Sequence, residues 1–267
     1  MSRLERTIQQ VITFLQSLSP LPDSTVDGLI RGDINQPLTG IAVSYSATIA
    51  AIREADEAGC NLLITHQSLF HDPGKHDRSK KNEVNQLKEK LLQETEMAVY
   101  RFHDGPHQMN PGLLTDGLIR TVGWNSVITD VNLYDSTVTF GERCSVQDVI
   151  AHLKHTLRIS HVRLTGDSEA LCKKIGVSAG FSGYAQRVIP LFTDEDVDVV
   201  ITREPLESGA PGFVQDANDL GKQYALIVLD QGESETPGMI KTAKMLTHSI
   251  PELPVHFIRN EPAFKVK

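Results

Sequence analysis

Gly40 to His66, GIAVSYSATIAAIREADEAGCNLLITH, carries the pattern that decides the fold. Gly40-Ile-Ala-Val-Ser44 reads as a short buried strand, and the residues from about Ser46 to Ala58 as a helix that stops at Gly59, a helix-ending residue. Leu62, Leu63 and Ile64 form a second apolar run of strand length. Strand, helix, strand within this span is a βαβ unit, which implies parallel strands and a right-handed crossover. The second strand delivers Thr65, His66 and Gln67 to its C-terminal end, the edge where open α/β sheets place their chemistry.

The same arrangement recurs twice. Ala98-Val-Tyr-Arg-Phe102 is an apolar run that leads into His103-Asp-Gly-Pro-His107, and Ala225-Leu-Ile-Val-Leu-Asp230 leads into Gln231-Gly-Glu-Ser-Glu235. Around these, the periodicity predicts helices over Arg3–Ser17, 82–94, 110–122, 146–156, 211–220 and 237–247. Strands are expected at 162–164, 174–178, 197–202 and 255–258, with strand-like alternation over 127–140. Ser145 is placed to cap the helix that follows it. Ala179-Gly-Phe-Ser-Gly183 reads as a tight strand-to-helix turn. The polar stretch 71–81 reads as an exposed, solvated connection. The alternation of strands and helices gives an α/β fold with layered sheets. Residues 1–125 are expected to form the first domain and 126–224 the second, with 225–267 returning to the first.

With 267 residues, 40% hydrophobic and 22% charged, the chain has the composition of a globular protein with a substantial core. A formal net charge of -8 argues against a general nucleic-acid binder, which needs a basic face. Neither a membrane-length apolar run nor a secretion-signal pattern is present, so a cytoplasmic location is expected. Cys60, Cys144 and Cys172 are too widely spaced for a zinc ribbon or a disulfide framework and are expected to be packing or surface residues.

Imidazole and carboxylate are the ligand types that hold Zn, Fe, Mn or Ni, and a metal site draws them from several directions at once. His66, His103 and His107 can supply nitrogen, and Glu233 and Glu235 oxygen; Gln67 offers only a neutral amide oxygen. A serine nucleophile is the weaker reading, because neither Ser68 nor Ser234 lies in a Gly-x-Ser-x-Gly elbow. The phosphate-binding Gly-x-x-x-x-Gly-Lys-Ser/Thr loop is absent.

These segments, in this order, resemble the Nif-type (Ngg-interacting factor) dinuclear metal-centre family, GTP cyclohydrolase I type 2-like. The family's Thr-His-His-Pro-Leu-(Ile/Phe)-Phe stands here as Thr65-His-Gln-Ser-Leu-Phe70, and its His-Thr-Asn-Leu-Asp as His103-Asp-Gly-Pro-His107. Its Ile-Thr-Gly-Glu stands as Ile201-Thr-Arg-Glu204. Its late Asp-x-Gly-His-Tyr-x-Ser/Thr-Glu, followed by Pro-Gly, stands as Asp230-Gln-Gly-Glu-Ser-Glu-Thr-Pro-Gly238. The resemblance implies two similar α/β domains with mixed, mainly parallel sheets facing across a central cleft. It also implies one or two divalent ions there and a ring-shaped homohexamer. By position it makes His66 the first ligand and Glu235 the last.

The departures lie in the metal motifs. Gln67 replaces the second histidine of the pair and His107 the bridging aspartate, and Glu233 is nearest to a missing late histidine. A neutral imidazole cannot bridge two cations as a carboxylate does, so one ion is expected ahead of two. Asp104, Glu204 and Glu207, with His103, are candidates for supporting roles. The function expected is a metal-dependent hydrolase of a small phosphorylated or nucleotide-like substrate. In it the metal would polarise the substrate or lower the pKa of a bound water, and Glu235 or Glu233 would take a proton. The competing expectation is a non-catalytic, ring-forming binding or scaffold protein with a degenerate metal site.

Overall fold

The computed structural model describes residues 6–70 and 82–266, so the connection expected at 71–81 lies outside the described residues. The chain forms two compact units, Met1–Met109 with Met239–Glu261, and Asn110–Gly238 with Pro262–Lys267. Both have the α/β architecture expected from the alternation of elements.

The first unit contains α1 (Ile8–Ser17), β1 (Gly28–Arg31), β2 (Ile41–Ser44), α2 (Ile49–Glu57), β3 (Leu62–Thr65), α3 (Glu83–Glu94), β4 (Ala98–Arg101) and α4 (Asp104–Gln108). Its sheet has the order β1-β4-β3-β2-β11, where β11 is Val255–Ile258. β11, β2, β3 and β4 are parallel, and β1 adds to β4 in the antiparallel sense. Every residue of β2 and β3 is buried, as a parallel sheet covered on both faces requires. Ala42, Leu63 and Val99 pack with Ala51, Ile52 and Ala55 of α2 and Leu92 of α3. Thr48 caps α2 by accepting from Ala51 N, and Gly59, at φ 72°, ends it as expected.

The second unit contains α5 (Leu113–Thr121), β5 (Ile128–Val131), β6 (Ser136–Ser145), α6 (Val146–Leu157), β7 (Arg163–Thr165), β8 (Leu171–Ser182), α7 (Ala185–Thr193), β9 (Val199–Arg203), α8 (Ala210–Asp219) and β10 (Ala225–Leu229). The strand order is β5-β6-β8-β9-β10-β7, parallel across β8, β9 and β10 and antiparallel toward both edges. Ser145 caps α6 in a reciprocal box with Asp148, as its position suggested. The only tryptophan of the chain, Trp124, is buried in this unit's core beside Leu118, Ile119 and Leu153.

α9 (Gln231–Ser249) runs from the second unit into the first. Its start corrects the sequence reading, which began the helix at Pro237 and left Gln231–Glu235 as a strand-end loop. Ser234 N donates to Asp230 O at 3.0 Å, so those five residues are already helical and Pro237 sits inside the helix. The expected turn at 179–183 is likewise strand: β8 continues to Ser182, held by β9 through an irregular register between Ser178 and Ser182. The helix expected over 110–122 is α5, and the Gly105-Pro106 turn ahead of it is helical as well, as part of α4. Proline is tolerated there because first-turn N–H groups have no helical acceptor.

Gly117 of α5 and Gly238 of α9 meet backbone to backbone. A Cβ on Gly117 would lie 2.7 Å from Gly238 Cα, and one on Gly238 2.5 Å from Leu114 Cδ2. Gly117→Ala therefore has to push the two segments apart, at about 1–3 kcal/mol. In urea the unfolding midpoint followed by Trp124 fluorescence should fall by about 1 M, and an unchanged midpoint would show that the contact is not close-packed. Cys60 and Cys172 are buried, and burial pushes their thiols up to about 11 and about 12, as inert packing residues. No helix among the described residues is long and apolar enough to cross a membrane.

Candidate metal centre

β3 and β4 are parallel neighbours, with Thr65 opposite Arg101 in register. Phe102 N donates to Thr65 O at 2.8 Å and extends the pairing one residue past the end of β4. The next residues, His66 and His103, emerge side by side at the carboxyl edge of the sheet. α4 then turns His107 back toward them. The ligand nitrogens of His66, His103 and His107 all lie within 4.8 Å of one another, and this is the one group of three or more potential His, Cys, Asp or Glu ligands among the described residues. The rings of His66 and His103 stack at 4.6 Å between centroids, and His107 lies 5.3 and 4.9 Å from them.

The rings of His66 and His103 are oriented by hydrogen-bond acceptors. His66 Nδ1 is 3.0 Å from the carbonyl oxygen of Phe102, which accepts only from a protonated nitrogen, so Nε2 carries the lone pair. His103 Nδ1 is 2.9 Å from Asp104 Oδ1, which fixes the same tautomer by a carboxylate. His66 is fully buried. Burial lowers the pKa of His103, the neighbouring His66 lowers it further, and the hydrogen bond it donates to Asp104 works against both. A neutral ring is the form that binds metal. Burial alone would raise the pKa of Asp104, but hydrogen bonds from His103, Val26 N and Thr25 Oγ1 outweigh it and hold the carboxyl below its usual value.

A second carboxylate supports the turn. Asp27 Oδ1 accepts from His103 N at 2.6 Å and Asp104 N at 2.7 Å, and its Oδ2 accepts from Gly105 N at 2.8 Å. These are first-turn N–H groups of α4, which have no acceptor within the helix. Neither Thr25 nor Asp27 stood out in the sequence. No sequence pattern marked them, because β1, the strand that they precede, has only four residues.

The carboxylates expected as ligands are in the second unit. Glu235 is fully buried in α9, and its Oε1 lies 3.0 Å from Arg203 Nε at the end of β9, an ion-pair distance without hydrogen-bond alignment. Gln231 Nε2 lies 3.4 and 3.5 Å from its two oxygens. Glu233 is half-buried in the first turn of the same helix. Ser234, the weak nucleophile candidate, is buried and donates to Gln231 O at 2.9 Å. Glu204 carries an unusual backbone, φ 32°, beside Arg203.

The chain is 27% identical over 252 residues to a GTP cyclohydrolase 1 type 2 homolog of Clostridium perfringens, covering 88% of each protein. A protein of the same name from Clostridium acetobutylicum is 22% identical, over 86% of this chain and 84% of that one. Among solved structures, the hypothetical protein SA1388 of Staphylococcus aureus shares the fold with a TM-score of 0.75 at 18% identity, over 98% of this chain and 99% of that one. The Bacillus cereus protein related to NIF3 gives 0.73 at 14% identity with the same coverage. A family model matches residues 6–263, and the chain belongs to the Duf34/NIF3 (NGG1p interacting factor 3) family.

Proposed function

We propose that His66, His103 and His107 hold one divalent metal ion and that the protein is a hydrolase of a small phosphorylated or nucleotide-like substrate. The observation that carries this is that one ring nitrogen from each of the three histidines lies within 4.8 Å of the others, with Nδ1 of His66 and of His103 each at an acceptor. The donor set fits Zn, Fe, Mn or Ni. Among the described residues the group holds three histidines, and three protein ligands with a position open for substrate are the pattern of catalytic rather than structural metal sites. No carboxylate belongs to the trio, which favours one ion over a bridged pair.

An ion held there supplies Lewis-acid polarisation of a phosphoryl or carbonyl oxygen. The chain's own residues do the rest. Phe102 O and Asp104 keep two rings in the binding tautomer, and burial of His66 excludes water from behind the site. Glu235 and Glu233 remain the proposed proton-handling residues, with Glu235 restrained by Arg203. The name shared by the two clostridial relatives supports a nucleotide-like substrate. Elemental analysis of protein purified without chelator should find about one divalent ion per chain. The reading fails if none is found and added Zn, Mn, Fe and Ni do not bind.

A further inference from the structure

We infer that Asp27, with Thr25 beside it, is a positioning residue of the histidine centre, setting His103 and His107 through the backbone of the turn that carries them. This rests on the metal-centre reading above and names the element that fixes its geometry.

The topology brings Asp27 to the site. β1 is the antiparallel edge strand, and its first residue, Gly28, pairs with Arg101, the last of β4. The residue before β1 therefore meets the residues after β4. Asp27 takes three successive N–H groups, those of His103, Asp104 and Gly105, on its two carboxylate oxygens. Thr25 Oγ1 and Val26 N donate to Asp104 Oδ2 at 2.9 and 2.8 Å, while the other oxygen of Asp104 holds His103 Nδ1. One short segment thus fixes both the backbone that carries His103 and the carboxylate that orients its ring. Gly105 fits the arrangement, because a Cβ there would stand 3.1 Å from Asp27 Oδ2 and 2.4 Å from Phe102 Cε2. The turn is closed onto Asp27 with no room for a side chain. Asp27 and Asp104 both act electrostatically on Arg101, whose charge is opposite to theirs.

The experiment uses the full chain and Co(II) as probe, read by visible absorption and by competition for affinity. Asp27→Ala should weaken Co(II) binding about 10–100-fold and change the absorption envelope. Asp27→Asn keeps one carbonyl oxygen for His103 N and Asp104 N, loses the acceptor for Gly105 N, and should fall between the two. Imidazole nitrogen NMR without metal is the second readout: His103 should show a fixed Nδ1–H tautomer in the wild type and averaging between tautomers in Asp27→Ala. If Asp27→Ala does not fold, Asp27→Asn carries both measurements. A folded variant with wild-type affinity and an unchanged His103 pattern overturns the inference. Wild-type protein that binds no Co(II) overturns the proposed function alone, and the His103 signals then decide the role of Asp27.

Discussion

His66→Ala should empty the metal centre. His66 is the fully buried member of the trio and one of the two whose ring is locked in the binding tautomer by a partner in the structure. Structural zinc binding of roughly 10–16 kcal/mol over four ligands amounts to about 2.5–4 kcal/mol per ligand, so losing one donor should weaken affinity about 60- to 700-fold. Bound metal stabilises the folded state in proportion to occupancy, so the wild type should melt higher when an ion is added after chelation, and the variant should not respond. The comparison also separates ligation from packing. Removing a buried imidazole lowers stability in either case, but only a ligand also removes the metal-dependent rise. A His66→Ala protein that keeps both stoichiometric metal and the rise would mean that His66 is a structural residue bonded to Phe102.

The histidine side of the site was legible because it needs only two local facts. Apolar runs at 62–64 and 98–102 mark strands, and a residue just past a parallel strand lies on the sheet's functional edge. The structure adds that the two strands are adjacent, which brings His66 beside His103. It also changes the weight among the residues. His103, read from sequence as a supporting candidate as much as a ligand, has its ring oriented by Asp104.

What the sequence hid has two physical causes. The segment from Thr25 to Asp27 acts on residues 76 to 79 positions away through hydrogen bonds to backbone, and neither periodicity nor spacing encodes such contacts. β1 itself, Gly28-Leu-Ile-Arg31, is four residues with an irregular register, too short to alternate visibly. In the second unit, Pro237 looked like a helix start because proline favours the first turn. The helix instead begins with Gln231, which sets Gln231 and Glu235 one turn apart on the same face, where they interact.

The second large effect belongs to the pair that this helix creates. Arg203→Met should destabilise the second unit by about 3–5 kcal/mol, since it takes a guanidinium away from a buried carboxylate. Glu235 is fully buried and the Arg203 side chain only 12% exposed, so water cannot replace the guanidinium at low cost. Gln231, at 3.4 Å or more, supplies an amide dipole and no charge. Converting both partners, Arg203→Met with Glu235→Leu, should recover most of the loss or exceed wild-type stability, because it removes two desolvated charges together. Urea unfolding followed by Trp124, which reports on this unit alone, measures all three chains. A single variant that costs under about 1 kcal/mol would place the pair with solvated surface bridges. A double variant as unstable as the single one would show that Glu235 has a structural partner other than Arg203, and the Arg203 counter-charge would then lose its claim to hold Glu235 in place.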